Sequence, residues 1–117
     1  MNNQSTKDKD AVTTNGMAAT SHPIATEEAI RILKKGGNAV DASIAASIVL
    51  SVVEPNATSI GGDCFAIVKM EGKESVSYNG SGIAPGKLDY DFFKKNNFDK
   101  VGLTSPHSVT IPGALDA

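Results

Sequence analysis

Gly36-Gly37-Asn38-Ala39-Val40-Asp41-Ala42-Ser43-Ile44-Ala45-Ala46-Ser47-Ile48-Val49-Leu50-Ser51-Val52-Val53-Glu54-Pro55 is the stretch on which the fold turns. Asn38 predicts a helix N-cap, and Asp41, at the third helical position, answers it in capping-box fashion. The helix is predicted to run to about Val53, where Glu54-Pro55 stops it, because the residue before a proline avoids helical dihedrals. Val40, Ile44, Ile48, Val49, Leu50, Val52 and Val53 surround its axis, with Ala39, Ala42, Ala45 and Ala46 between them. Only Ser43, Ser47, Ser51 and Asp41 make a thin polar stripe, which reads as a close-packing face rather than a site. A helix apolar nearly all round is a buried central helix. Its uninterrupted apolar length falls short of the ~20 residues that span a bilayer.

Upstream, Gly16 to Ser21 reads as a short buried strand or extended segment, with Ser21 as N-cap of a first helix and Pro23 in its opening turn. Glu27 and Glu28 early and Lys34 and Lys35 late suit the helix dipole. Gly36-Gly37 closes that helix with C-terminal glycine geometry. Its apolar face, Ile24, Ile30 and Leu33, is too narrow to cover the second helix alone. Downstream, Asn56 to Asp63 is a loop with a glycine pair. A hairpin is predicted from Cys64 to Met70 and Ser75 to Tyr78, turning at Glu71-Gly72-Lys73. A second glycine-rich loop, Asn79 to Gly86, precedes a surface helix predicted over Lys87 to Lys100 and a strand over His107 to Ile111. Pro112-Gly113-Ala114 has the look of a helix start, and a chain ending there is the pattern expected of a cut one. Residues 1–15 are expected to form a disordered polar tail, too polar to offset the entropy of ordering. Helices with a hairpin make the expected class α/β in the layered, α+β sense.

The 117 residues hold 40% hydrophobic and 21% charged residues, with a formal charge of −2. That is ordinary soluble composition, and no basic stripe argues for nucleic acid or an anionic membrane as partner. Cys64 is the sole cysteine. It excludes an internal disulfide and a zinc site built on thiolate pairs. No metal and no cofactor are expected. The N-terminal decapeptide is wholly polar and carries no signal-peptide core, so the expected location is cytoplasmic.

Neither glycine-rich loop has the spacing of a P-loop or a dinucleotide fingerprint, so tight turns explain them better than a phosphate cradle. Cys64 opens an apolar strand and reads as packing rather than as a nucleophile. His22 at a helix start reads as a structural hydrogen-bonding group. Asp41 reads as a cap, and Asp63 as a residue that orients a loop. For Asn79 and Ser81 a loop held by side-chain-to-backbone bonds competes with a pocket wall, since binding residues concentrate on loops set by rigid elements.

Four segments in order resemble the gamma-glutamyltransferase family. They are Met17 to Thr26, Ile32 to Ala42, Val53-Glu54-Pro55-Asn56 with Ile60-Gly61-Gly62-Asp63-Cys64-Phe65, and Ser108 to Ala114. The resemblance implies that residues 16–117 are an incomplete N-terminal portion of the family's large subunit. It further implies part of an αββα N-terminal-nucleophile hydrolase fold, two central helices plus a hairpin. In that family a precursor cleaves itself and a newly exposed threonine becomes the nucleophile, its own α-amino group serving as base. Backbone N–H donors then stabilise the oxyanion. Nothing in these residues matches that threonine, so no catalytic residue is expected in this chain. The implied partners are the remainder of the large subunit, the small subunit and a small-molecule acyl donor.

Aligning Ile83-Ala84-Pro85 with the family's loop puts Ser81 where typical members place an arginine that grips the donor's α-carboxylate. Ser81, with Asn79 beside it, is therefore the expected substrate-binding position, and the pattern looks more like the divergent, acylase-like branch. The activity implied is hydrolysis or transfer of gamma-glutamyl or related acyl amides. The rival expectation is a non-catalytic binding module.

Overall fold

The computed structural model describes residues 12–116. The expected tail lies outside the described residues up to position 11, and residues 12–15 are exposed. The chain forms two compact units, one ending at Ala46 and the other beginning at Ser47.

The first unit holds α1, Pro23–Lys34, and the start of α2, Ala39–Val53. Its N-cap is His22, not the expected Ser21: the His22 ring nitrogen Nδ1 accepts from the Ile24 N–H at 3.3 Å. The cause is Pro23 at the first helical position, which drives the residue before it into extended backbone, φ −126° and ψ 131° for His22. With the cap there, Glu27 and Glu28 fall beyond the first turn, which has no acidic residue. Glu28 instead pairs with Arg31, and that guanidinium, by hydrogen bond, holds the Glu28 carboxyl below its ordinary range. Exposed i,i+3 pairs of this kind contribute little.

The C-terminus of α1 is a full Schellman motif. The Gly37 N–H donates to Ile32 O at 3.1 Å and the Gly36 N–H to Leu33 O at 3.0 Å. Gly36 has φ +92°, which glycine adopts without penalty. The expected capping box of α2 is present: Asn38 Oδ1 accepts from the N–H groups of Val40 (2.8 Å) and Asp41 (3.0 Å), while Asp41 Oδ2 accepts from the Asn38 N–H at 2.9 Å. Ser43 and Ser51 turn their hydroxyls back onto the carbonyls of Ala39 and Ile48.

Burial corrects one expectation. The buried hydrophobic residues are Ala25 and Ala29 on α1 and Ala42 and Ala46 on α2, one turn apart on each helix. The large side chains of α2 are not covered: Val40, Ile44, Ile48 and Val52, spaced by four and so on one face, are all exposed, Val52 by 76%. Of the two readings of Gly16 to Ser21 the buried strand is not formed: the segment has no regular secondary structure, and Met17 is exposed.

The second unit contains the rest of α2, an antiparallel hairpin, a short helix and three interlocked loops. Strands β1, Cys64–Lys69, and β2, Ser75–Gly80, pair from Cys64↔Gly80 to Lys69↔Ser75. The turn between them uses Gly72 at φ +70°. Cys64, Ala66 and Val68 are half-buried, while Phe65 and Ile67 on the opposite face are exposed. A strand apolar on both faces is built for a sheet covered on both sides.

The predicted helix over Lys87 to Lys100 shrinks to α3, Tyr90–Lys95. The Asp89 carboxylate caps it, accepting from Phe92 N–H at 2.7 Å, and Asn97 ends the turn that follows it at φ 55°. The strand expected from His107 to Ile111 is absent. Pro106, which lacks an N–H, instead opens a 3-10 turn, Pro106–Ser108, whose N-cap Ser105 accepts from His107 N–H at 3.2 Å. The chain then runs irregularly to a turn at 114–116, without the helix start expected at Pro112. The His107 ring packs 5.2 to 6.1 Å from the rings of Phe92, Phe93 and Phe98.

Among the described residues no helix is long and apolar enough to cross a membrane. The isolated chain is expected to self-associate and to bind a hydrophobic dye, because exposed apolar stripes of the α2 kind seek cover. Light scattering after size exclusion, with dye fluorescence, checks this; a monomer that melts cooperatively and binds no dye contradicts it.

Candidate functional site

Three segments of the second unit meet around one carboxylate. The loop Ser59 to Asp63 leads into β1, Asn79 and Gly80 close β2 rather than opening the loop expected there, with Ser81 to Ile83 leaving the strand, and residues 110–114 follow the 3-10 turn. Asp63 Oδ1 accepts from the Gly82 N–H at 3.1 Å and from the Thr110 hydroxyl at 3.2 Å. Gly62 O accepts from the N–H groups of Gly113 (3.1 Å) and Ala114 (3.0 Å), and Ile83 O from the Ile111 N–H at 2.9 Å. Two glycines let the backbones close in. A Cβ on Gly82 would stand 1.4 Å from Ile111 O, and one on Gly113 would stand 2.5 Å from Gly80 O. The glycines here serve close approach of the backbones.

Asn79 and Ser81 both lie on this knot, on its exposed side. Asn79 Oδ1 accepts from the Ser81 N–H at 3.1 Å, an Asx-type turn. The Ser81 hydroxyl has only a long contact to Gly82 O, at 3.5 Å. That hydroxyl is open to another partner. Asp63 does orient a loop, as its place after two glycines suggested. Thr110, its second partner, carries no local signal in the sequence, because the bond spans 47 residues. Asp63 also lines a shallow polar depression with Pro55, Asn56, Thr58, Ser59 and Gly62.

His22 caps α1 in the first unit, while Cys64 is a free, half-buried thiol at the start of β1. Among the described residues no three His, Cys, Asp or Glu side chains are grouped to hold a metal ion.

The family model described as Gamma-glutamyltranspeptidase matches residues 25–117, and the chain belongs to that family. It is similar to the glutathione hydrolase-like YwrD proenzyme of Bacillus subtilis, 37% identical over 93% of this chain and 21% of the relative. It is also similar to the acylase ACY 1 proenzyme of Pseudomonas sp. strain V22, at 30% identity over 92% of this chain and 21% of the relative. Among solved structures, the gamma-glutamyltranspeptidase of Helicobacter pylori superposes with a TM-score of 0.77 at 34% identity, over 89% of this chain and 31% of that one. The fold is thus the corresponding part of the N-terminal-nucleophile hydrolase architecture. The chain spans about a fifth of the length of the curated relatives it matches.

Proposed function

We propose that this segment serves an enzyme that hydrolyses or transfers gamma-glutamyl or related acyl amides, with the nucleophilic threonine supplied by sequence outside these residues. In this reading the segment Asn79 to Ile83 walls the acyl-donor pocket. Ser81 stands where relatives of the gamma-glutamyl-cleaving kind carry a carboxylate-gripping arginine. The observation that carries the reading is the loop itself: Ser81 is exposed with its hydroxyl nearly unengaged, while Asp63, Asn79 and Ile111 fix the backbone around it. A serine offers a neutral hydrogen bond but no charge, so donor preference moves away from an anionic α-carboxylate toward uncharged acyl groups. The remainder of the large subunit and the small subunit are the proposed partners, and they cover the apolar faces of α2 and β1. The unpaired Cys64 suits a reducing compartment such as the cytoplasm.

The test is Ser81→Arg in the longer protein that carries this segment. Gaining a charge-assisted contact is worth roughly 1.5–3 kcal/mol, about tenfold to a hundredfold in binding. Activity on a gamma-glutamyl anilide should therefore rise relative to the same donor with its α-carboxylate converted to a carboxamide. A folded variant with an unchanged ratio returns Ser81 to the status of a turn residue.

A further inference from the structure

The segments 59–63, 79–83 and 109–114 contain one charged side chain between them, Asp63. Its carboxylate is bonded to the N–H of Gly82, the residue directly after Ser81, and to Thr110. Both bonds end on Oδ1, so the negative charge of the carboxylate is only partly offset by donors. No lysine or arginine in the three segments balances it. The knot that fixes Ser81 is therefore electronegative as well as rigid.

We infer that Asp63 determines donor specificity by charge: it repels acyl donors bearing a carboxylate near Ser81 and leaves uncharged ones unaffected. This rests on the reading of Ser81 given above and adds to it. Ser81 removes an attraction, whereas Asp63 supplies a repulsion, and discrimination between related ligands commonly uses both. Asp63 is exposed, so its charge acts partly through water and is screened by salt. That screening separates an electrostatic role from a purely structural one.

The experiment compares Asp63→Asn and Asp63→Ala in the longer protein, using the α-carboxylate and α-carboxamide forms of one gamma-glutamyl anilide. Asparagine keeps an oxygen able to accept from Gly82 and Thr110 but carries no charge. In Asp63→Asn the carboxylate-to-carboxamide ratio of kcat/KM should rise about threefold to tenfold, the scale of one unit-charge repulsion across a partly solvated site. The rise should sit in KM and should fade between low salt and about 0.5 M salt. Asp63→Ala should raise the same ratio and also speed hydrogen exchange over residues 79–83. An unchanged ratio in Asp63→Asn, or a rise indifferent to salt, overturns the inference. If Ser81→Arg shifts the ratio while Asp63→Asn does not, this inference alone fails. If Ser81→Arg leaves the ratio unmoved, or the wild type turns over neither donor, the reading beneath it fails.

Discussion

Replacing Gly82 with alanine is expected to pull residues 110–114 away from the loop that carries Ser81. The added methyl carbon would fall 1.4 Å from Ile111 O and 2.6 Å from its carbonyl carbon. Both are backbone atoms, so no side chain can rotate aside to make room. Relief requires losing the 2.9 Å bond from Ile111 N–H to Ile83 O, the Asp63 bond to Gly82, or both. Overpacking of a close contact costs about 1–3 kcal/mol, and the broken bonds put the expected loss at the upper end. Gly86→Ala is the control, since nothing lies within 4 Å of a Cβ there and its backbone is not in the left-handed region. That change should be neutral or slightly stabilising, through a less flexible unfolded chain. Urea unfolding of the longer protein, with hydrogen exchange at Ile111, checks the pair. Equal stability and undiminished protection in Gly82→Ala would show that the segments do not approach as described.

The helices were legible because their signals are local. Asn38 and Asp41 announce the start of α2 within four residues, and Gly36-Gly37 forces the end of α1 by backbone conformation alone. The cap of α1 falls on His22 although Ser21 is the better intrinsic cap, because Pro23 settles which residue becomes extended; His22 is the structural hydrogen-bonding group its place at the helix start suggests. The strand expected after His107 failed for a similar reason. The alternation of His107 to Ile111 suits a strand, but Pro106 and the Ser105 cap turn the chain first. The Asp63 knot lay beyond local reading altogether, since its bonds join residues 19 and 47 positions apart. What the sequence could offer was the chemistry: a carboxylate after two glycines, and more glycines where backbones must touch. The exposed face of α2 is the converse case. Its sequence states that it must be covered, and the chain described here leaves it bare.

A gamma-glutamyl anilide should not be turned over by the 117 residues alone any faster than by buffer. The deficit against a complete family enzyme should be on the order of a millionfold, the scale on which a hydrolase falls when its nucleophile is removed. The only thiol is Cys64, half-buried where β1 begins and opposite Gly80. A thiol becomes a nucleophile through a base or a cationic neighbour that draws off its proton. Among the described residues no hydrogen bond joins Cys64 to either histidine. His22 has its Nδ1 occupied by the Ile24 N–H, and His107 is packed among three phenylalanine rings. The hydroxyls of Thr20, Ser43, Ser51, Ser108 and Thr110 bond to backbone carbonyls, to another hydroxyl or to the Asp63 carboxylate rather than to an imidazole. Cys64→Ala should therefore leave the null rate unchanged. Turnover by the isolated chain that disappears in Cys64→Ala or His107→Gln would reverse this conclusion and make the thiol the working group.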